Sequence, residues 1–194
     1  MKNELLNQSQ SEGIPEINLK QIQIAAQNIT HYIHKTPLIK SNILSEQLNT
    51  NIYLKLECLQ YTGAFKVRGA LNKLLHLSLK DQCNRRIIAV SAGNHGKAVV
   101  FVAQILNFDA IILMPNTTSL NIIQKIKSYG ANVLLFPSLN DAFMMAMKYE
   151  QMGFNFIHPY DCPLIIAGQG TIGLEIIESI PYVTDVIVSI GGAD

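Results

Sequence analysis

Two stretches of this chain carry side chains whose types and spacing suit covalent chemistry at an amino group. The first is Thr62-Gly63-Ala64-Phe65-Lys66-Val67. A lysine is ordinarily a solvated surface cation. Lys66, however, has apolar neighbours and stands just inside the start of an expected helix. Burial against apolar groups and the positive end of a helix both favour the neutral amine. A neutral amine can attack an aldehyde and form a Schiff base. The second stretch is Ser91-Ala92-Gly93-Asn94-His95-Gly96. Its two glycines let backbone approach a ligand. The loop N–H groups and the following helix N-terminus make an anion site suited to a carboxylate. Asn94 can donate to a phenolic oxygen, and His95 is polar and loop-placed. Small residues also suit any strand-to-helix turn, so spacing alone leaves that plainer reading open.

Other segments are weaker. Gly168-Gln169-Gly170-Thr171-Ile172-Gly173 formally fits G-x-G-x-x-G. A dinucleotide loop needs a strand before it and an acidic residue about 20 positions on. Pro163–Ala167 is a doubtful strand, and Asp185 and Asp194 straddle the acidic position poorly. The segment reads instead as a helix start with Thr171 near its first turn. Gly191-Gly192 follows an apolar run and could open a phosphate-binding turn, although two glycines say little alone. His158 and Asp161 could share a metal, but nothing nearby completes a ligand set, so a structural role for His158 is the better reading. No metal is expected.

These residues need positioning elements. Asn18–Ile33 puts Leu19, Ile22, Ala26, Ile29 and Ile33 on one helical face, with Asn18 and Gln21 spaced as a capping box. Pro37 prevents simple continuation. Ser41 can cap a short helix to Leu48. Ile52–Cys58 alternates as a half-buried strand with Ile52, Leu54, Leu56 and Cys58 inward. Val67, Ala70, Leu71, Leu74 and Leu75 mark a helix that Lys66 opens. Strands are expected at Ile87–Val90, Ala110–Met114, Val133–Phe136, Phe154–Ile157 and Val186–Ile190. Helices are expected at Gly96–Leu106, Leu120–Tyr129, Asn140–Met152 and Thr171–Ser179. Such alternation argues for an α/β fold with largely parallel sheets and helices on both faces. In such folds ligands gather at the carboxyl ends of the strands, where the Thr62–Lys66, Ser91–Gly96 and Gly191-Gly192 loops fall.

Composition excludes some classes. Of 194 residues, 48% are hydrophobic and 15% charged, with a net charge of +1. That supports a sizeable core and gives no basic surface for nucleic acid; Arg85-Arg86 reads as a solvated strand start. No apolar stretch approaches the roughly 20 residues of a membrane span. Met1–Gly13 has no signal-like apolar region, so a cytoplasmic protein is expected. Cys58, Cys83 and Cys162 are widely spaced and read as plain reduced thiols, buried or half-buried.

Taken in order, the motifs resemble those of fold-type II (tryptophan synthase β-like) pyridoxal-phosphate (PLP) enzymes. They are Thr36-Pro37-Leu38, Lys55-Leu56-Glu57, the stretch Thr62 to Ala70, Ser91 to Gly96, Met114-Pro115, Tyr129-Gly130-Ala131, His158-Pro159 and Ala167 to Thr171. Within that family the sequence is similar to threonine/serine dehydratases and serine racemases. The resemblance implies a PLP lyase of amino-acid metabolism, in isoleucine biosynthesis or in a catabolic role. Lys66 would hold PLP as an internal aldimine and later remove the Cα proton. Phe65 would pack near the cofactor, Asn94 would bond its ring oxygen, and Gly191 and Gly192 would lie at its phosphate. Ser91, Asn94 and His95 would cradle the substrate carboxylate. β-Elimination from L-threonine or L-serine would give a 2-oxo acid and ammonia.

Two departures bear on that expectation. Ala64 stands where the family often has serine. Ala92 stands where serine racemases use a serine as the acid on the opposite face, which favours dehydratase over racemase. The family also continues well beyond Asp194, so residues 1–85 with 158–194 are expected to form part of a large PLP-binding lobe, left incomplete, around a small lobe at 86–157. Impaired or absent activity follows if nothing completes the large lobe. The alternatives are an inactive remnant, one half of a split enzyme completed by a C-terminal fragment, or a non-catalytic interaction protein. A homo-oligomer is a further expectation, motivated by an apolar edge at Val186–Ile190.

Overall fold

The computed structural model describes residues 17–79 and 84–189. Helix α1 spans Leu19–Ile29 and opens with the expected capping box: the Asn18 side chain accepts from the Gln21 N–H, and the Gln21 side chain accepts from the Asn18 N–H. Strands β1 (Leu38–Lys40) and β2 (Tyr53–Lys55) pair antiparallel. Between them lies α2 (Asn42–Leu48), capped by Ser41 as expected. Two short 3-10 turns, Glu57–Leu59 and Tyr61–Gly63, lead into α3 (Lys66–Ser78).

The main sheet follows. Strands β3 (Arg86–Val90), β4 (Asp109–Pro115), β5 (Asn132–Phe136) and β6 (Asn155–Phe156) are parallel in the order β5-β4-β3-β6. Helices α4 (Asn94–Leu106), α5 (Leu120–Lys127) and α6 (Leu139–Gln151) connect them. The period-2 alternation of a strand divides the sheet faces. Ile87, Ala89, Ile112 and Met114 join a large core with Val99 and Val102 of α4 and Leu71 and Leu74 of α3. Ile88, Val90 and Leu113 face Ala142 and Ala146 of α6. Helix α7 (Pro163–Ser179) packs against α1 and α3. Among the described residues no helix is long and apolar enough to cross a membrane.

Four expectations are corrected. The Ile52–Cys58 strand is shorter and turned over. Leu54 and Cys58 are exposed, while the side chains of Lys55 and Glu57 are only 9% and 14% exposed. Ion pairing to the interior outweighs the apolar alternation there. Cys58 is therefore not a buried thiol; Cys162 is half-buried, and Cys83 lies outside the described residues. Helix α7 starts at Pro163, eight positions before Thr171, so the G-x-G-x-x-G stretch is helix interior. Its reason is close packing: a Cβ on Gly168 would lie 2.6 Å from the Gly69 Cα. Finally, Val186–Val188 forms no strand, and Ile187 is 98% exposed. A strand needs a ladder partner, and no described strand lies beside this segment.

Candidate active site

The chain reaches Lys66 through a constrained turn. Thr62 and Gly63 both have positive φ, at 66° and 76°. For glycine that conformation is free, but for a β-branched threonine it is strained. The Thr62 hydroxyl is buried without a hydrogen-bond partner. Strained residues persist only where their surroundings over-determine them, and they cluster at active sites and ligand clamps. Ala64, buried and extended, then delivers Phe65 and Lys66 to the first turn of α3.

Lys66 is half-buried, and its Nζ donates to the Pro159 carbonyl at 2.8 Å. Burial holds its pKa below the usual lysine value. Its ammonium lies 5.3 Å from the centre of the exposed Phe65 ring. The carbonyl partner belongs to the segment that leaves β6. His158, one residue earlier, accepts the Asp161 N–H at 2.7 Å through Nδ1. That contact fixes the neutral Nε2–H tautomer. It also withdraws Nδ1 from metal ligation, and among the described residues no three His, Cys, Asp or Glu side chains converge.

The Ser91–Gly96 loop closes β3 onto α4. Ser91 Oγ accepts from the N–H groups of Gly93 (3.1 Å) and Gly96 (2.9 Å). The Asn94 and His95 N–H groups, in the first turn of α4, have no acceptor inside the helix. The space where a Gly93 Cβ would stand is empty to 4 Å, whereas one on Gly96 would meet Ile126 at 3.0 Å. Asn94 is exposed. His95 is buried, and its Nε2 lies 2.9 Å from the Ile157 carbonyl. Burial, with smaller contributions from Lys66 and His158, pushes its pKa down to about 4. The ring is neutral at pH 7 and braces the loop from behind. Gly191 and Gly192 lie outside the described residues.

Sequence reasoning missed the polar cluster on the other side of α3. Arg68, fully buried, pairs with Glu57 and Glu175, and Lys55 pairs with Glu175. Burial opposes ionisation of Glu175, yet the hydrogen bonds from Arg68 and Lys55 hold its carboxyl below the usual range. The available signal was an arginine at an apolar face of a helix whose other positions are Val67, Gly69, Ala70 and Leu71.

The structure thus holds a half-buried Lys66 amine whose charge burial disfavours, and a start of α4 whose first N–H groups have no acceptor inside the helix. The family model described as pyridoxal-phosphate dependent enzyme matches residues 29–194, and the chain belongs to that family. It is 44% identical over 178 residues to the L-threonine ammonia-lyase of Thermotoga maritima, covering 91% of this chain and 44% of that protein. A crystal structure of serine racemase from Dictyostelium discoideum superposes with a TM-score of 0.77 at 33% identity, covering 84% of this chain and 54% of that one. A crystal structure of threonine deaminase from T.th. gives 0.76 at 37% identity, with coverage of 84% and 52%. The chain thus spans about half the length of the relatives it matches, and the fold-type II α/β architecture and PLP dependence of its family are established.

Proposed function

We propose that this chain carries the cofactor lysine and the substrate-carboxylate loop of a PLP-dependent lyase that deaminates L-threonine or L-serine. The observation that carries the reading is the Lys66 amine, half-buried, with its charge disfavoured and its Nζ oriented by the Pro159 carbonyl. The residues present fit the cofactor on this side: a reactive amine, an adjacent aromatic ring, and an orphaned Thr62 hydroxyl on the same turn. When bound, PLP supplies an aldehyde to the amine and a ring that accepts electron density from the reacting carbon.

In this reading Lys66 would hold the cofactor through Nζ, and the same Nζ, as a neutral amine, would take the substrate Cα proton. Phe65 would pack beside the cofactor ring and Asn94 would donate to its phenolic oxygen. Ser91, whose oxygen accepts two N–H groups, donates its hydroxyl proton to the substrate carboxylate, and the Asn94 and His95 N–H groups complete the cradle. The His95 side chain acts by bracing that loop. Gly191 and Gly192 are assigned to the cofactor phosphate. In the net reaction the β-hydroxyl and the Cα proton leave as water, and hydrolysis then gives a 2-oxo acid and ammonia. Dehydratase is preferred to racemase because Ala92 has no exchangeable proton. Residues 86–157 form the small lobe in this reading, with 1–85 and 158–194 contributing to the large one.

Borohydride reduction in the presence of PLP, followed by peptide mass spectrometry, tests the assignment. A stoichiometric adduct confined to Lys66 supports it; labelling scattered over surface lysines, or none, rejects it for this chain alone. A second reading is favoured by the bare apolar segment Val186–Val188: further polypeptide covers it, in the same protein or a second chain. If adduct forms only when a C-terminal fragment of a homologue is added, complementation is the correct account.

A further inference from the structure

We infer that Arg68 is a positioning residue for Lys66: its guanidinium fastens the first turn of α3 to Glu57 and Glu175 and so fixes where the Lys66 amine projects. The inference rests on Lys66 being the reactive amine of the site. Two residues apart on a helix, the side chains point about 200° apart. Lys66 turns toward Pro159, and Arg68 turns to the opposite side.

Arginine has five N–H donors in a fixed fork, and Arg68 uses all of them. Nε donates to Glu57 Oε2 at 2.9 Å, and Nη2 donates to Glu57 Oε1 at 2.8 Å and Glu175 Oε2 at 3.1 Å. Nη1 donates to Glu175 Oε1 at 2.7 Å and Thr171 Oγ1 at 3.2 Å. The acceptors are held in turn. Thr36 donates its hydroxyl to Glu57, and Lys55 donates to both Glu175 and the Thr36 carbonyl. Two cations thus face two carboxylates, and the cluster joins the β2 end, α3 and α7.

Its placement gives the cluster a purpose beyond stability. Glu57 and Arg68 close a loop of chain that contains strained Thr62, Gly63 and Lys66. A strained turn persists only where its surroundings over-determine it. Well-packed apolar residues often stabilise a protein as well as a buried ion pair does. A directional five-bond fork immediately beneath the reactive lysine therefore points to geometry. Behind it, Gly69 and Gly168 let α3 and α7 touch, which brings Glu175 and Thr171 within reach.

The test uses competitive acylation of the intact chain with limiting acetic anhydride, from about pH 6 to about pH 10, read by peptide mass spectrometry. The titratable groups beside the Lys66 amine are His95 on α4 and His158 after β6, both disfavoured as cations by burial. Lys73, on the same helix, is the internal reference. Arg68→Lys, with three donors in place of the fork, and Glu57→Gln should each lower Lys66 labelling relative to Lys73 by roughly fivefold near pH 8. Thermal unfolding should stay cooperative. If Arg68→Lys does not fold, Glu57→Gln decides. An unchanged Lys66-to-Lys73 ratio in a folded variant, or a parallel change at both lysines, overturns the inference. Acylation needs no cofactor, so a wild-type chain without a PLP adduct but with a variant-sensitive ratio rejects cofactor attachment by this chain alone and still supports the positioning role.

Discussion

Lys66 and His95 are anchored to the same short stretch of backbone, Lys66 Nζ to the Pro159 carbonyl at 2.8 Å and His95 Nε2 to the Ile157 carbonyl at 2.9 Å. These carbonyls lie two residues apart just beyond β6. The segment therefore couples the lysine turn, which precedes α3, to the asparagine loop, which precedes α4. Neither motif touches the other in sequence, and β6 is the edge strand that brings them into register.

Burial of His95, only partly offset by its hydrogen bond with the Ile157 carbonyl, makes fold stability pH-dependent. An unfolded imidazole binds its proton near the ordinary value of 6.5, and the buried one only near about 4. Between these values the unfolded chain binds more protons. Stability is then fully present above the unfolded pKa and is lost as pH falls toward the folded one, by about 3 kcal/mol for this group. His158, also depressed by burial, acts in the same direction. Urea unfolding at about pH 7.5 and about pH 4.5 should show His95→Gln with a smaller acid-induced loss than the wild type. Equal losses in both would remove His95 from the account.

The depressed Lys66 pKa predicts the pH at which cofactor attaches. Its amine is neutral at lower pH than that of an exposed lysine, because burial disfavours the ammonium. Reducible PLP adduct at Lys66 should rise at lower pH than adduct at a fully solvated amine such as that of free Nα-acetyl-lysine. Lys66→Arg should abolish it, since a guanidinium stays protonated. Parallel pH curves for Lys66 and the free amine would mean that the site does not tune this lysine.

Much of this was legible in the sequence, and the failures share a cause. Capping at Asn18 and Ser41, the lysine at the head of α3 and the parallel strands β3–β6 all follow from local pattern. Local pattern failed where a partner distant in sequence decides. Lys55 and Glu57 turn inward because Arg68 and Glu175 are there, which reverses the face that alternation assigns. Gly168 and Gly170 suggest a helix start, whereas they lie inside α7 because Gly69 and Ile22 pack against them. Val186–Val188 has strand composition but, among the described residues, no strand beside it. The contact of the His95 ring with the Ile157 carbonyl likewise joins residues far apart in sequence.

The Gly69–Gly168 crossing supplies a stability prediction. Alanine at 168 would place its Cβ 2.6 Å from the Gly69 Cα and 2.8 Å from the Arg68 carbonyl, both backbone atoms that cannot rotate away. Helix propensity alone would favour alanine by about 1 kcal/mol. Overpacking costs about 1–3 kcal/mol and should win. Gly168→Ala is expected to lower the thermal midpoint and, by parting α3 from α7, to weaken PLP labelling at Lys66. At Gly173, where a Cβ meets nothing within 4 Å, the same substitution should be neutral or stabilising. If both variants were equally stable, the helix contact would not be close.

Thr62 separates stability from function. Its φ of 66° strains a β-branched residue at an expected cost of about 1–3 kcal/mol, which glycine would relieve at some loss to unfolded-chain entropy. Thr62→Gly should therefore be at least as stable as the wild type, by up to about 1 kcal/mol. The same change deletes the buried hydroxyl that has no protein partner. If that hydroxyl serves the bound cofactor or substrate, PLP should be held several-fold more weakly, since a single hydrogen bond is worth about 1 kcal/mol. Denaturation and PLP titration on one preparation read both effects. A variant that gains stability and binds PLP unchanged would show that the strain is incidental to the site. A variant that loses both would show that the methyl group packs more than the turn strains.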